Sequence, residues 1–308
     1  MRVLAVLSGK GGVGKTTTVA NLGAALAARG SRVVAVDMNW TTPNLGYHLG
    51  VDAPTVPLDE VLAGRGGLEG ALQEVAPRLR CLLPAPGAPL EAPRERLAAF
   101  FRSVRALEAD WALLDCSPGL EPVRTLLPHA DGALVVTNPE LPAMADALIT
   151  IRQAREAHPS LDLRTELNRA RWGLPGAGEV ARLCGAPVAA VIPESRAVSR
   201  SIASGRPAVA SRPWSRPSRV FLRVAAALVR GSPALLPDAF APRRPVPLGA
   251  RLESLHRRVV ESSVRRRSEV SALLASLEDY RSRGLLSEEA YQELRRVNLA
   301  RLGPAASA

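Results

Sequence analysis

One junction near the N-terminus constrains this fold more than anything else. A short apolar run at 3–7 meets Gly9-Lys10-Gly11-Gly12-Val13-Gly14-Lys15-Thr16, and an Ala- and Leu-rich stretch then runs to residue 29. The apolar run reads as a buried strand and the stretch after it as a helix with an apolar inner face. A chain that starts strand, glycine loop, helix is committed to an α/β layer fold, because the helix must pack back across the sheet. The loop fits G-x-x-x-x-G-K-[ST], in the strand-to-helix setting that the pattern requires. Glycines let successive backbone N–H groups turn towards one point, and the helix start adds partial positive charge. Such a loop cradles phosphate. Lys15 then neutralises the β- and γ-phosphates, the Thr16 hydroxyl completes Mg²⁺ coordination, and Thr17 belongs to the same binding loop.

The rest of the first 230 residues alternates in the same way. Further strands are expected at 32–37, 79–83, 111–115, Gly132–Thr137, 163–167 and 187–192. Helices are expected around 93–108, 139–157, 176–184 and 215–230. That pattern predicts a P-loop NTPase with a mostly parallel twisted sheet flanked by helices, plus a C-terminal helical extension. With 47% apolar and 22% charged residues the composition is globular. No apolar run is long enough to span a bilayer, and the short N-terminal run does not read as a secretory signal, so a cytoplasmic location is expected. Cys81, Cys116 and Cys184 are too far apart to suggest a disulfide framework or a metal site. Asp115 ends an expected strand, where a carboxylate can hold a Mg²⁺-bound water. Ser117-Pro118-Gly119 follows as a candidate γ-phosphate sensor. Cys116 beside it reads as a buried, inert strand cysteine.

The basic residues carry two further signals. Of 40 Lys and Arg, only Lys10 and Lys15 are lysine. Where arginine fills nearly every basic position, two lysines in one loop suggest that a planar fork does not fit there. Charge is also concentrated. Residues 196–230 hold eight arginines and no acid, and 243–267 hold eight more against Glu253 and Glu261. A basic region at 196–267 implies a polyanionic partner: DNA, an anionic membrane or an acidic protein surface.

The run KGGVGKTTTVANLGAALAARGSRVVAVD, from Lys10, resembles the deviant Walker A ATPases, MinD, ParA and their relatives. Similarity to the MinD branch, notably its archaeal-type members, continues through TTPNLGYHLGV, LLDCSPGL, VTNPELPAMADALITI, LNR and VIPESRAVSRSIASGRPAV, and covers about residues 1–230. The resemblance implies ATP and Mg²⁺ as ligands and a homodimer in the ATP state, with Lys10 reaching the partner's phosphates. It implies Asp37 near Mg²⁺, and an aspartate two residues on at the attacking water. Asn39 stands there instead, and an amide can orient water but cannot take its proton. Slow hydrolysis is therefore expected. By the same resemblance Asn168 and Arg169 lie at the adenine edge and Pro193 packs on the base. Arg164, Thr165 and Glu166 put polar side chains where relatives carry an apolar run.

Three uses of such a switch stay open on the sequence. A MinD-like switch would act on an anionic membrane, peripheral on its inner face, through an amphipathic segment at 249–267. A ParA-like switch would lay the arginines of 196–230 on DNA phosphates. That segment reads as lacking interleaved aromatics, which argues against stacking on single strands. A scaffold would dock an unidentified regulatory protein on the tail. Domain limits are expected at 1–231 for the ATPase domain, 232–248 for a Pro-rich linker, and 249–308 for a basic helix and a hairpin resembling SHOCT modules.

Overall fold

The computed structural model describes residues 1–85, 93–171 and 176–231, with Glu278, Arg281, Ser282, Glu288, Tyr291, Gln292 and Arg295. The expected linker and the basic helix at 249–267 lie outside the described residues. Of the expected hairpin only those last seven residues are described, all helical. Among them the Tyr291 hydroxyl donates to Glu278 at 2.7 Å, and the Arg281 guanidinium lies 4.5 Å from the Tyr291 ring centroid.

The first part of the chain runs β1 (Arg2–Leu7), α1 (Lys15–Ala27), β2 (Val33–Met38), α2 (Leu45–Leu49), α3 (Leu58–Leu62), α4 (Leu68–Ala71), β3 (Gln73–Ala76) and β4 (Leu79–Leu82). It continues through α5 (Arg94–Ala106), β5 (Trp111–Cys116), α6 (Glu121–Thr125), β6 (Gly132–Thr137), α7 (Leu141–Ala157) and β7 (Asp162–Ala170). Then come α8 (Ala177–Cys184), β8 (Val188–Pro193), α9 (Arg196–Ala203), α10 (Ala208–Ser211) and α11 (Arg216–Val229). The sheet order is β3-β4-β2-β5-β1-β6-β7-β8, parallel throughout except for β3, which pairs antiparallel with β4 at the edge. The expected α/β class therefore holds, with one edge strand and several short helices added.

Alternation along the strands divides the core between the two faces of the sheet. Val34 and Val36 face a cluster with Phe100, Phe101, Met144 and Ile151, while Val33 and Ala35 face one with Val19, Leu22, Leu26, Phe221 and Val224. The second cluster seats α1 and α11 on the same side, and Arg29 Nε donates to the Leu222 carbonyl at 2.9 Å to join them. β1 lies between β5 and β6, so the strand order reverses at this central strand. Its C-terminal end is the crevice where ligands of open α/β sheets bind.

Two features tie this framework to the site. Gly50 closes α2 at φ +75°, and a Cβ there would stand 2.8 Å from the Gly205 carbonyl oxygen. The backbone after α2 thus rests directly on the turn between α9 and α10. The second feature is polar. β7 keeps its place in the sheet despite Glu166, which is buried and accepts the Thr18 hydroxyl of α1 at 2.5 Å. Burial raises the Glu166 carboxyl from 4.5 to about 7, against the pull of the Thr18 hydrogen bond.

That raised pKa gives stability a defined pH dependence. The neutral acid is favoured in the folded chain, so its contribution is complete below about 4.5 and is lost as pH rises through about 7. A glutamine side chain at this position can still accept from Thr18 and never ionises. Glu166→Gln is therefore expected to flatten the fall in stability between these pH values. It should be more stable than wild type at pH 8 by up to about 3 kcal/mol. Urea unfolding across pH 4 to 8 measures this, and parallel profiles for the two proteins would refute it.

Candidate nucleotide site

The phosphate loop joins β1 to α1, as its residues require. Gly14 adopts φ +110°, which L side chains avoid, and a Cβ on it would stand 2.0 Å from Asn168 Nδ2. α1 starts without a side-chain cap and without an acid in its first turn, so its N-terminal dipole is left for an anion. Lys15 is buried and donates from Nζ to Ser8 Oγ at 2.7 Å, while Ser8 Oγ donates to the Lys10 carbonyl at 2.7 Å. Burial lowers the Lys15 pKa, and Asp115 opposes that shift. Ser8 is a site residue that the motif does not contain. The signal for it is its place at the strand end, one residue before the first glycine. Gly119 donates from its N–H to the Ser8 carbonyl at 2.9 Å, which joins the expected sensor Ser117-Pro118-Gly119 to the loop.

Asp37 and Asp115 sit side by side in the register of β2 and β5. Both are buried, yet their surroundings differ. Asp37 accepts three backbone N–H groups, from Asn39, Asn44 and Leu45, each at 3.0 Å. It thereby holds the loop that leads into α2. Burial raises its pKa and those three donors lower it. Both oxygens of Asp115 are buried and neither makes a hydrogen bond of ordinary geometry, although the Thr16 hydroxyl is close enough to pull on them. Burial, and then the neighbouring Asp37, push the Asp115 pKa well above the carboxylate range, while Thr16 and Lys15 pull it down. A buried carboxylate left bare suits a hard cation with oxygen ligands, so the residues present fit Mg²⁺. Asp115 and Thr16 would hold it. Asp37 spends most of its acceptor capacity on the loop. Cys116 is free and buried, and burial raises its thiol pKa, as expected for an inert strand residue.

The remaining expected residues fall into four groups. Lys10 is exposed, and among the described residues no acid pairs with it. Asn39 is buried and turned into its own loop, where Nδ2 donates to the Thr42 carbonyl at 2.9 Å and Oδ1 accepts the Thr41 hydroxyl at 3.2 Å. Asn168 and Arg169 reach the phosphate loop itself. Asn168 Nδ2 donates to the Val13 carbonyl at 2.7 Å and Arg169 donates to the Gly12 carbonyl at 3.0 Å, with Arg169 at φ +52°. Pro193 ends β8 and pairs with Ala170 of β7. One group went unnoticed in the sequence: Asn138, just past β6, is buried with Oδ1 unpartnered. Its type gives no warning, because only burial at a strand end makes an ordinary asparagine a candidate.

The arrangement can bind a polyphosphate on the α1 N-terminus and Lys15, beside a bare carboxylate. Comparison with known proteins agrees. Residues 4–208 match the CobQ/CobB/MinD/ParA nucleotide binding domain. An uncharacterized ATP-binding protein of Methanocaldococcus jannaschii is 32% identical over 235 residues, covering 73% of this chain and 87% of that protein. The structure of the cell division ATPase MinD from Pyrococcus furiosus superposes with a TM-score of 0.66 at 33% identity, over 75% of this chain and 99% of that one. The septum site-determining protein MinD of Pyrococcus horikoshii, solved with Mg-ADP, gives 0.66 at 31% identity, over 76% and 99%. With the phosphate loop, the central strand and the carboxylate pair in place, the chain belongs to the MinD/ParA family of P-loop ATPases.

Proposed function

We propose that this chain is a MinD-like switch that dimerises with Mg·ATP, works on an anionic surface and hydrolyses ATP slowly. The observation that carries the reading is the contrast between the two lysines. Lys15 is buried against its own loop, whereas Lys10, in the same loop, is exposed and without an acidic partner among the described residues. A cation displayed beside a phosphate cradle, and not needed by it, suits the phosphates of a second subunit, as an arginine finger does. The Pyrococcus horikoshii relative, bound to Mg-ADP, supports the choice of ligands.

On nucleotide binding Lys15 would exchange Ser8 for phosphate oxygens, and the N–H groups at the start of α1 would hold the β-phosphate. Bound Mg²⁺ supplies charge neutralisation for the phosphates. Asp37 keeps the loop ahead of α2 in place, and through α2 the contact of Gly50 with Gly205 joins that loop to the basic surface. This is the route by which nucleotide state would be felt at 196–230. A second reading, DNA in place of a membrane, draws support from the eight arginines of that segment, all exposed. A regulatory partner on the tail is compatible with either.

Light scattering in ATP and in ADP tests the switch. Wild type is expected to be a dimer with Mg·ATP and a monomer with ADP. Lys10→Arg should stay monomeric in both, and a full ATP dimer of this variant would contradict the assigned role. Slow hydrolysis has its own test. Asn39 orients no reacting water while its amide is engaged with Thr41 and Thr42, so Asn39→Asp should accelerate single-turnover hydrolysis, by up to ~10²–10⁴ on general-base magnitudes. An unchanged rate would remove the link between Asn39 and slow turnover.

A further inference from the structure

The surface formed by α11 and the turn before it has a composition of its own. α11 buries Pro217, Ser218, Phe221, Val224, Ala225, Ala226 and Ala227. Its outer face carries Arg216, Arg219, Arg223 and, at its end, Arg230, all exposed. At 100° per residue these four lie within an arc of about 60°, a single stripe about 21 Å long. No acid occurs between 196 and 230, and among the described residues none of the eight arginines there forms an ion pair.

Trp214 stands at the head of the stripe, between Arg212 and Arg216, and is 87% exposed. The expectation that this segment lacks aromatics is thereby corrected. The turn that carries the indole is well fixed. Pro213 and Pro217 bracket it, Ser215 N–H donates to the Arg212 carbonyl at 3.0 Å, and Ser218 Oγ donates to the same carbonyl at 2.8 Å. The tryptophan is held out into solvent by its own backbone.

We infer that Trp214 and the Arg216–Arg219–Arg223 stripe form a contact surface for an anionic phospholipid bilayer on the folded ATPase domain. A rigid indole beside guanidinium groups suits the headgroup layer, where the ring enters the boundary and the charges stay with phosphates. Duplex DNA would satisfy the arginines and leave the indole without a partner, since base faces in a duplex are already stacked. Arg29 ties this helix to α1, the helix that starts at the phosphate loop. The inference rests on the reading of the chain as a switch on an anionic surface, and two copies in an ATP dimer would pair two weak contacts into a stronger one.

The test uses the full chain with Mg·ATP. Sedimentation with vesicles of 3:1 neutral to anionic phospholipid is compared with neutral vesicles and with binding to a duplex DNA. Trp214→Ala is expected to weaken anionic vesicle binding at least about fivefold, and Arg219→Glu with Arg223→Glu at least about tenfold, with ADP affinity unchanged. Vesicles should shift tryptophan emission to the blue in wild type and not in Trp214→Phe. If both variants hold vesicles as wild type does, this surface is wrong and the membrane reading survives through another segment. If the chain binds duplex DNA and ignores vesicles, or binds neither, the inference and the membrane reading fall together.

Discussion

Two carboxylates end adjacent parallel strands in the same register, and the site is organised around that pairing. Asp37 and Asp115 are forced together by the alignment of β2 with β5, deep enough that water screens neither. Like charges so placed cannot both stay ionised without help. Help from the backbone reaches one of them. Asp37 is surrounded by three backbone N–H groups, and Asp115 has none. The first therefore serves the fold, anchoring the loop to α2, and the second keeps both oxygens free of backbone donors. Nearby Lys15 is desolvated and rests on a serine hydroxyl. The site thus sets one buried acid without a backbone donor beside one buried base, a pair that suits a metal-bound polyphosphate.

A similar economy extends outward. β7 presents Glu166 to Thr18 and Asn168 to the Val13 carbonyl, so one strand supports both the first turn of α1 and the loop before it. The loop held by Asp37 passes through α2 to the Gly50–Gly205 contact, and from there to the turn before the basic surface. The Asp37 loop and the basic surface are therefore linked through packed backbone, alongside the Arg29 bond from α1 to α11.

Much of this was legible in the residues. Apolar runs located six of the eight strands, because strands buried on both faces read as continuous Val, Leu and Ala, and the alternation of elements placed a seventh at 163–167 despite Arg164 and Glu166. β3 escaped because Gln73–Ala76 is a short, half-exposed edge strand with an irregular register, so no run marks it. The glycine loop disclosed Lys15 and Thr16 through its spacing alone. The roles of Asn39 and Asn168 were less accessible, since a side-chain amide looks the same whether it faces a ligand or its own backbone. Here both are bonded to backbone carbonyls, of Thr42 and Val13. Glu166 is polar in a buried strand, and only the fold reveals the Thr18 hydroxyl that partners it. Trp214 was hidden among arginines for a related reason: composition counts an aromatic but does not say that two prolines and a serine cap hold it outside the core.

The central claim is that Asp115, whose pKa is raised by burial and by Asp37, is the acid that Mg²⁺ claims. Calorimetric titration of the full chain with ADP at pH 7, repeated in buffers of different ionisation enthalpy, measures it directly. With Mg²⁺ present, binding should release about one proton, because the metal favours the ionised carboxylate. Without Mg²⁺, or in Asp115→Asn, that release should disappear. Equal proton release with and without Mg²⁺ would contradict the account.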